Sequence, residues 1–413
     1  MQLRYNYRVF PTPGQRQSLA RAFGCARVVF NDGLRARQEA HAAGLPYITD
    51  TDLQKQVITA AKRTTEREWL GEVSSVVLVQ SLRDLHTAYR NFFSCVTGKR
   101  KGPKVAPPRF KSKRDSRQAI RLTANGFSLR DNGTLYVAKI GDLKVRWSRP
   151  LPAAPTSATV TKDAGDRYWV SFVVDTEPQI LEDLDLSGPL ESETGIDLGL
   201  THFAVLSNGR KVDAPKFLRQ AERKLKRMHK ALSRCAKGSN NRAKVRKKLA
   251  RQHARVADRR RDWHHQESTR IIRETQAVYV EDLAVSGLGR TPLAKSVHDA
   301  GWSAFVTMLE YKAAKHGRYF GRTGRFEPTS QVCSACGVKD GPKPLGVRAW
   351  TCRDCGSVHD RDLNAARNIL AAGRADRLNA SWSAGKTGPV PAQRVEAGTR
   401  RDRHMPVVGI PVL

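Results

Sequence analysis

The spacing of apolar residues changes along the chain, and each change predicts a new kind of element. Residues 1–10 alternate between apolar and polar positions, which predicts a strand. A helical region is predicted over residues 13–44, with Pro13 and Gly14 at its start. A second helix is predicted over residues 76–93, because apolar side chains recur there at helical spacing: Leu78, Leu82, Leu85, Tyr89 and Phe92.

Between residues 120 and 175 the period becomes two, which is typical of antiparallel strands. One hairpin is predicted around Asp131–Gly133 and another turning at residues 163–166. Together with the N-terminal strand, these segments predict a small β-barrel formed by residues 1–12 and 119–180. The helical residues 13–118 interrupt this barrel.

An acidic linker over residues 180–193 predicts a domain boundary, and a strand carrying Asp197 follows it. A helical hairpin then breaks at residues 238–241, and the short apolar run "VYVE" predicts a buried strand that ends at Glu281. A helix over residues 304–315 and the strand "RYFGRTGRF" lead into a cysteine cluster. Residues 374–413 have no apolar period, and we expect them to be disordered.

The net charge of the chain indicates which class of molecule it binds. The 413 residues include 73 Lys and Arg against 39 Asp and Glu, which gives a net charge of +34. Such an excess most often serves to neutralise phosphates of nucleic acid. Residues 216–261, with 19 basic and two acidic residues, carry half of this excess, so we expect the helical hairpin to face nucleic acid.

A membrane surface is the rival partner for a basic protein. The sequence has no run of roughly 18 apolar residues, and its first residues do not form a signal peptide. We therefore expect a cytoplasmic, nucleoid-associated protein of a prokaryote and no membrane partner.

Four of the seven cysteines form two pairs, Cys333-x2-Cys336 and Cys352-x2-Cys355, and a glycine follows each pair. Two such pairs supply four thiolates to one tetrahedral Zn²⁺, and an ion with four protein ligands is structural. The spacing predicts a zinc ribbon over residues 327–356. The other three cysteines are scattered and are expected to be small buried apolar residues: Cys25, Cys95 and Cys235.

Three acidic residues lie within or at the ends of predicted strands and helices, where a carboxylate can serve as a metal ligand. Asp197 interrupts a strand, Glu281 ends a buried strand, and Asp362 opens a helix. Taken singly, Glu281 has a surface alternative and Asp362 an N-cap alternative. Taken together in a basic chain, the three predict a site for two Mg²⁺ or Mn²⁺ ions that hydrolyses phosphodiesters.

Several short motifs carry a family resemblance: "GIDLGL", "VEDL", "TSQVCSACG", "TCRDCG" and "HDRDLNAARNI". They resemble the signature of the TnpB family of transposon-encoded, RNA-guided DNA nucleases, which are related to type V CRISPR effectors. The resemblance covers nearly the whole chain and is most specific in residues 194–370. It implies an α/β plus β fold: an RNase H-like (RuvC) nuclease domain over residues 187–326 and 357–373, with the zinc ribbon inserted.

The resemblance also implies roles for residues. Asp197, Glu281 and Asp362 match the three RuvC carboxylates, and Asp360 becomes an outer or capping residue. The β-barrel resembles the family's wedge, the helices of residues 13–118 resemble its recognition lobe, and the ribbon resembles its target-binding element.

The implied partners are a guide RNA and a target DNA with a short adjacent motif, bound by a protein that we expect to be a monomer. Gln80 is a candidate for an adenine contact, with a plain exposed glutamine as the alternative. The basic segment 99–117 is either a solvated linker or a contact to nucleic-acid backbone. Further candidate contacts are Lys99, Arg100, Lys101, Arg246, Lys247 and Lys248.

Two other functions remain open at this stage. A miniature type V CRISPR-like effector would use the same chemistry, and a zinc-ribbon DNA-binding regulator of transposition would not cut. A relaxase-type site is disfavoured because His264 and His265 lack a spacer and a following Tyr. These two histidines are expected to pack or to cap their helix.

Overall fold

The computed structural model describes residues 1–115, 117–178, 193–325, 327–344 and 346–385. The chain divides into two compact units, one formed by residues 2–176 and the other by the residues from 177 onward. The boundary between the units comes just before the predicted acidic linker, and all of that linker except Glu193 lies outside the described residues.

The N-terminal unit contains one antiparallel sheet of seven strands, in the order β2-β6-β7-β1-β5-β4-β3. The first strand lies between β7 and β5, with Tyr7 opposite Val170, so the prediction that it joins the later hairpins is confirmed. The edge strands β2 and β3 are joined by a single short turn, which curls the sheet toward closure. The strand bounds are β1 (Gln2–Phe10), β2 (Gln118–Thr123), β3 (Phe127–Leu129), β4 (Thr134–Val137), β5 (Gly141–Arg146), β6 (Pro155–Lys162) and β7 (Tyr168–Asp175).

The helices of this unit are α1 (Pro13–Ala42), α2 (Asp50–Gln54) and α3 (Ser75–Val96), so both predicted long helices are confirmed. A capping box begins α1: the Thr12 hydroxyl accepts from the backbone N–H of Gln15, and the Gln15 side chain accepts from the N–H of Thr12. Helices α1 and α3 pack closely at Gly33, where a Cβ would lie 2.8 Å from a methyl of Leu82.

The C-terminal unit contains a mixed sheet of five strands in the order β10-β9-β8-β11-β12. Strands β8, β11 and β12 run parallel, and β8, β9 and β10 form an antiparallel meander. The strand bounds are β8 (Glu193–Leu198), β9 (His202–Leu206), β10 (Lys211–Asp213), β11 (Ala277–Glu281) and β12 (Tyr319–Thr323). The helices are α4 (Phe217–Ser233), α5 (Asn240–Glu274), α6 (Val285–Leu288), α7 (Ala294–Ala300), α8 (Trp302–Lys315) and α9 (Arg361–Gly385).

The two faces of this sheet pack against different helices, because side chains alternate along a strand. Ile196 and Val280 point into a core that also contains Ile271 of α5 and Phe305 of α8. Residues of the opposite face, including Tyr279, pack against α9. Asp197 and Glu281 follow the core-facing Ile196 and Val280, so the strand pattern directs both carboxylates to the α9 face.

The predicted helical hairpin is confirmed as α4 and α5, which are broken at residues 234–239 and pack along each other. Leu225 of α4 and Leu249 and Val256 of α5 are buried. No helix in the described part of the chain is long and apolar enough to cross a membrane.

The zinc ribbon extends further than the sequence predicts. Strand β13 (Ala349–Thr351) pairs with β14 (Val358–Asp360), so the ribbon's hairpin continues past the predicted end at residue 356. The cysteine spacing indicates only where the metal ligands lie, whereas the length of the hairpin depends on backbone pairing between its arms.

The prediction that the chain is disordered from residue 374 is wrong for residues 374–385, which continue α9. Arg374 and Arg377 donate to Glu193 at the start of β8, with N–O distances of 2.6 and 3.0 Å. The apolar pattern ends at residue 373, but these tertiary ion pairs continue to hold the helix. The rest of the predicted tail, residues 386–413, lies outside the described residues.

A close approach of two backbones in the C-terminal unit gives a testable prediction. A Cβ on Gly195 of β8 would lie 2.2 Å from the carbonyl oxygen of Ala366 and 2.5 Å from the amide nitrogen of Leu370, both on α9. We expect Gly195→Ala to destabilise this unit by about 3 kcal/mol, because backbone cannot move aside as a side chain can. Thermal unfolding should show a midpoint roughly 5–10 °C lower.

Gly287→Ala is the matched control, because nothing lies within 4 Å of a Cβ at that position. It should leave the midpoint within about 2 °C of wild type. An equal midpoint for both variants would show that β8 and α9 do not approach in this way.

Candidate metal centres

Two adjacent parallel strands carry the first two predicted carboxylates. Ile196 pairs with Val280, so Asp197 and Glu281 take the next position on β8 and β11. Both carboxylates therefore lie at the same end of the sheet and on its α9 face. Asp362 lies in the first turn of α9, the helix that packs on this face.

Asp360 has the capping role that was predicted for it. One of its carboxylate oxygens accepts from the backbone N–H groups of Asp362 and Leu363, at 3.1 and 3.0 Å. The other oxygen accepts from Lys211 at 2.7 Å. Since Asp360 satisfies these N–H groups, the Asp362 side chain does not act as the cap.

The electrostatics of Asp197 reveal the acidic cluster. Burial, followed by the negative charges of Asp362 and Glu281, raises the pKa of Asp197 to about 7. The cations Arg361 and Arg348 oppose this rise. The fold therefore brings the three predicted acids within reach of one another's charge.

The other two carboxylates have different surroundings. Burial and the neighbouring Asp282 raise the pKa of Glu281. Arg348 donates to both carboxylate oxygens of Asp362, at 3.2 and 3.4 Å, and also to the Thr201 hydroxyl. The carboxylates nevertheless stand further apart than the cysteines: among the described residues, only the cysteine quartet has all its ligand atoms within 4.8 Å of one another.

The four cysteines have the geometry of a zinc site. Their sulfurs all lie within 4.8 Å of one another, with 3.7 Å from Cys333 to Cys355 and 3.8 Å from Cys336 to Cys352. Tetrahedral Zn–S bonds of about 2.3 Å place sulfurs roughly 3.8 Å apart, so this donor set fits Zn²⁺.

The turns of the zinc site depend on its glycines. Gly337 and Gly356, which follow the two cysteine pairs, have positive φ values of 77° and 71°, a backbone conformation that favours glycine. Each glycine N–H donates to the carbonyl of the first cysteine in its pair, Cys333 or Cys352.

Some residues around these centres are not indicated by spacing or composition. Arg348 reaches Asp362 only because the ribbon folds back over α9. His359 lies beside Cys333. Asn364 and Asn368 both donate to the carbonyl of Val332, at the start of the first cysteine turn (residues 332–337; the second cysteine turn is residues 352–356). The quoted motif "HDRDLNAARNI" contains three of these four residues, but it gave no reason to separate them from its helix-forming neighbours.

The nucleic-acid candidates differ in accessibility. Gln80 is only 4% exposed, so both the predicted base contact and the exposed-glutamine alternative are wrong for this structure. It lies on the face of α3 that also buries Val77 and Leu78, and helical spacing alone did not separate it from the exposed face. The other candidates Lys99, Arg100, Lys101, Arg246 and Lys248 are exposed, and Lys247 is half-buried.

His264 packs in the core, as expected. Its side chain is 2% exposed, its Nε2 lies 2.9 Å from the Ala300 carbonyl oxygen, and its ring contacts Phe203 and Phe305. Burial lowers its pKa to about 4, so it is a neutral packing residue at physiological pH.

Three family models match separate parts of the chain. A model described as "Probable transposase" matches residues 174–291, and a "Cas12f1-like, TNB domain" model matches residues 302–369. A third model, described as "Helix-turn-helix domain", matches residues 1–45. In this protein those residues form β1 and the single continuous helix α1.

Relatives along the full chain identify the family. A "Putative RNA-guided DNA endonuclease" of Streptomyces pristinaespiralis is 43% identical over 379 residues, covering 90% of this chain and 89% of that protein. The "Putative RNA-guided DNA endonuclease InsQ" of Escherichia coli K12 is 31% identical, covering 90% and 92%. The chain belongs to this TnpB family of proteins.

A solved structure of similar extent is that of the "mini-RNA-guided endonuclease CRISPR-Cas_phi3". It is 10% identical, covers 90% of this chain and 92% of that one, and has a TM-score of 0.49.

The raised pKa of Asp197 predicts how stability depends on pH. An unfolded Asp has a pKa near 3.8, so the folded protein binds an extra proton between that value and about 7. Without metal, stability should therefore fall as the pH rises through this window. Asp197→Asn removes the titration, and in EDTA it should raise the unfolding midpoint by roughly 5 °C at pH 8 and by clearly less at pH 5.

Asp262→Asn is the control for this experiment, because Asp262 is an exposed residue of α5 whose carboxylate accepts from the neutral side-chain amide of Gln266. It should change the midpoint equally, and only slightly, at both pH values. A gain for Asp197→Asn that is the same at pH 5 and pH 8 would contradict the burial of a titrating carboxyl at this position.

Proposed function

We propose that this protein is an RNA-guided DNA endonuclease that cleaves its target by metal-dependent phosphodiester hydrolysis. The observation that carries the proposal is the rise in the pKa of Asp197, because two of its causes are the charges of Asp362 and Glu281. Two acids from separate elements thus act on Asp197, in a chain with a net charge of +34. The names of the full-length relatives supply the substrate class and the use of an RNA guide.

The three carboxylates are the proposed ligands of two Mg²⁺ or Mn²⁺ ions, since hard cations prefer oxygen donors. Such ions activate a water molecule and stabilise the leaving oxygen during phosphodiester hydrolysis. Asp197 and Glu281 are held by adjacent strands, so their backbone positions are fixed before metal binds. Asp362 is held by a capped helix end.

Arg348 also affects how the proposed site binds a cation. Its guanidinium donates to both oxygens of Asp362, so it competes with a cation for the same atoms and neutralises the carboxylate in the absence of metal. Since the Arg348 side chain is 56% exposed, it can move into solvent without unfolding the ribbon.

The sheet supports the proposed nuclease fold. A three-stranded meander followed by two parallel strands, in the order β10-β9-β8-β11-β12, is the arrangement expected of an RNase H-like (RuvC) domain. We assign residues 187–326 and 357–373 to this domain and the cysteine ribbon to target binding. The seven-stranded sheet and helices α1–α3 are the proposed wedge and recognition lobe.

The basic helical hairpin is the proposed site for guide RNA. Residues 216–261 carry 19 basic residues against two acidic ones, and exposed cations such as Arg246 and Lys248 lie on α5. Phosphate contacts of this kind give affinity without reading sequence. Base pairing by the guide would then supply specificity.

Removing any one of the three carboxylates tests the catalytic proposal. We expect Asp197→Ala, Glu281→Ala and Asp362→Ala each to reduce cleavage of a matched plasmid by at least about 1,000-fold, because a two-metal site needs all its ligands. RNA binding by the same variants should stay within about twofold of wild type. The assay uses protein co-expressed with its RNA, in the presence of Mg²⁺.

Glu310→Gln is the control, because Glu310 is an exposed carboxylate of α8 that pairs with Arg322 at 2.7 Å. It should cleave at close to the wild-type rate. Full cleavage by any of the three alanine variants would remove that residue from the site. Co-purifying RNA of random sequence, in place of one discrete species, would argue against guiding even if DNA is cut.

Substitutions on α5 test the proposed RNA surface. The triple variant Arg246→Gln, Lys247→Gln, Lys248→Gln should weaken RNA binding and reduce the slope of log K against log salt by about 2, at roughly 0.7 per lost phosphate contact. The variant Arg246→Lys, Lys247→Arg, Lys248→Arg keeps the charge and should keep the slope. An unchanged slope in the glutamine variant would show that RNA binds elsewhere.

A further inference from the structure

The zinc ribbon contains a histidine that the cysteine spacing does not account for. His359 of β14 is 6% exposed, and its Nε2 lies 3.0 Å from the sulfur of Cys333. Its ring packs on Trp350, the residue opposite it on β13, with ring centroids 4.8 Å apart. A buried imidazole at this distance can donate its Nε2–H to a thiolate.

His359 is placed as a neighbour of the ligands and not as one of them. The group of metal-ligating side chains with mutually close donor atoms contains the four cysteines and does not include His359. A hydrogen bond to a ligating sulfur orients that ligand and alters its electron density, and loss of such outer contacts typically weakens metal binding by about 10- to 100-fold.

The backbone after His359 leads directly to the acidic cluster. Asp360 caps α9, and Asp362 lies in the first turn of that helix. On the opposite arm of the hairpin, the carbonyl of Arg348 accepts from the N–H of Arg361 at 2.8 Å, and the Arg348 side chain binds Asp362. The second cysteine turn and the start of α9 are therefore ends of one short hairpin.

The first cysteine turn is fastened to the same helix from the other side. Asn364, which is 1% exposed, accepts from the backbone N–H of Ser334 at 2.8 Å and donates to the carbonyl of Val332 at 2.8 Å. One turn later on α9, Asn368 also donates to the Val332 carbonyl, at 2.7 Å.

These contacts form a closed ring. It runs from the first cysteine turn through Asn364 into α9, back through Asp360 and β14 to the second cysteine turn, and across the four sulfurs to its start. A zinc ion bound to the four sulfurs would close this ring. Without the ion, the four sulfurs no longer bind the two cysteine turns to each other through a common metal, and the ring that holds the start of α9 is open.

We propose that His359 is an outer residue of the zinc centre, and that His359 and Asn364 are positioning residues through which zinc occupancy fixes the carboxylate of Asp362. The link to catalysis depends on the proposed endonuclease function. The effect on zinc retention and on cation binding at Asp362 does not.

The test uses the full-length protein with three histidine variants. His359→Phe keeps an aromatic ring against Trp350 but has no donor, and His359→Gln restores an N–H at a similar distance. His41→Phe is the control, because His41 is an exposed residue of the N-terminal unit. The rate of zinc release to a chromogenic chelator, the absorption spectrum of the Co²⁺-substituted ribbon and the Mn²⁺ affinity measured by electron paramagnetic resonance are recorded for each.

We expect His359→Phe to release zinc at least about tenfold faster than wild type, with His359→Gln close to wild type and His41→Phe unchanged. The Co²⁺ spectrum of His359→Phe should retain its tetrahedral four-sulfur ligand-field bands, with a shifted sulfur-to-metal charge-transfer band. Mn²⁺ binding should weaken about tenfold in His359→Phe and in zinc-depleted wild type.

Asn364→Leu separates the second contact from the first. It keeps a side chain of similar size on α9 but removes both hydrogen bonds to the first cysteine turn. It should weaken Mn²⁺ binding without shifting the Co²⁺ charge-transfer band.

Wild-type zinc release in His359→Phe would overturn the proposal, as would four-sulfur bands that change to those of a mixed sulfur–nitrogen site. Unchanged Mn²⁺ affinity after zinc removal would overturn the coupling. If the wild-type protein cuts no DNA, the proposed function fails, and the zinc-release and Mn²⁺ measurements still decide this inference.

Discussion

The contact between α9 and β8 at Gly195 sets the geometry on which the acidic cluster depends. Backbone atoms of Ala366 and Leu370 occupy the space where a side chain of residue 195 would stand. This distance fixes how far the first turn of α9 lies from the carboxylate of Asp197, two residues along the strand. A helix that packed at ordinary distance on this sheet would carry Asp362 away from the other two acids.

The acidic cluster lowers the stability of the folded protein when no metal is bound. Burial, followed by the charges of Asp362 and Glu281, raises the pKa of Asp197 to about 7, and Arg361 and Arg348 oppose this rise only in part. Arg348 reduces the strain by binding Asp362, and Asp360 and Lys211 form a separate ion pair that supports the helix end. A divalent cation would replace these partial compensations, which is the physical basis of the proposed metal-dependent activity.

Zinc and the proposed catalytic cations bind different donors, yet they share one structural element. The hairpin β13–β14 holds a cysteine turn at its tip and continues into α9 at its base. Asn364 and Asn368 bind the other cysteine turn to the same helix. The ribbon and the acidic cluster are therefore close along the chain, because Cys355 precedes Asp362 by only seven residues.

Much of the architecture could be predicted from local patterns. Period-two alternation located the strands that join β1, helical spacing located α1, α3 and the α4–α5 hairpin, and the cysteine spacing located four sulfurs that lie within 4.8 Å of one another. These predictions succeeded because each depends on neighbours in the chain: a strand or helix repeats every few residues, and two cysteine pairs form turns of their own. The identity of the capping carboxylate, Asp360, was also decided locally.

What the tertiary structure decided involves residues far apart in the sequence. The burial of Gln80, the extension of α9 to Gly385 by ion pairs with Glu193, and the position of Arg348 on Asp362 each depend on a partner more than a dozen residues away or on which side of a helix faces a core. No periodicity encodes such partners. The sequence by itself determined the kinds of element and the chemistry available to them, whereas the packing of α9 decided which side chains meet, because distances between elements exist only in the folded chain.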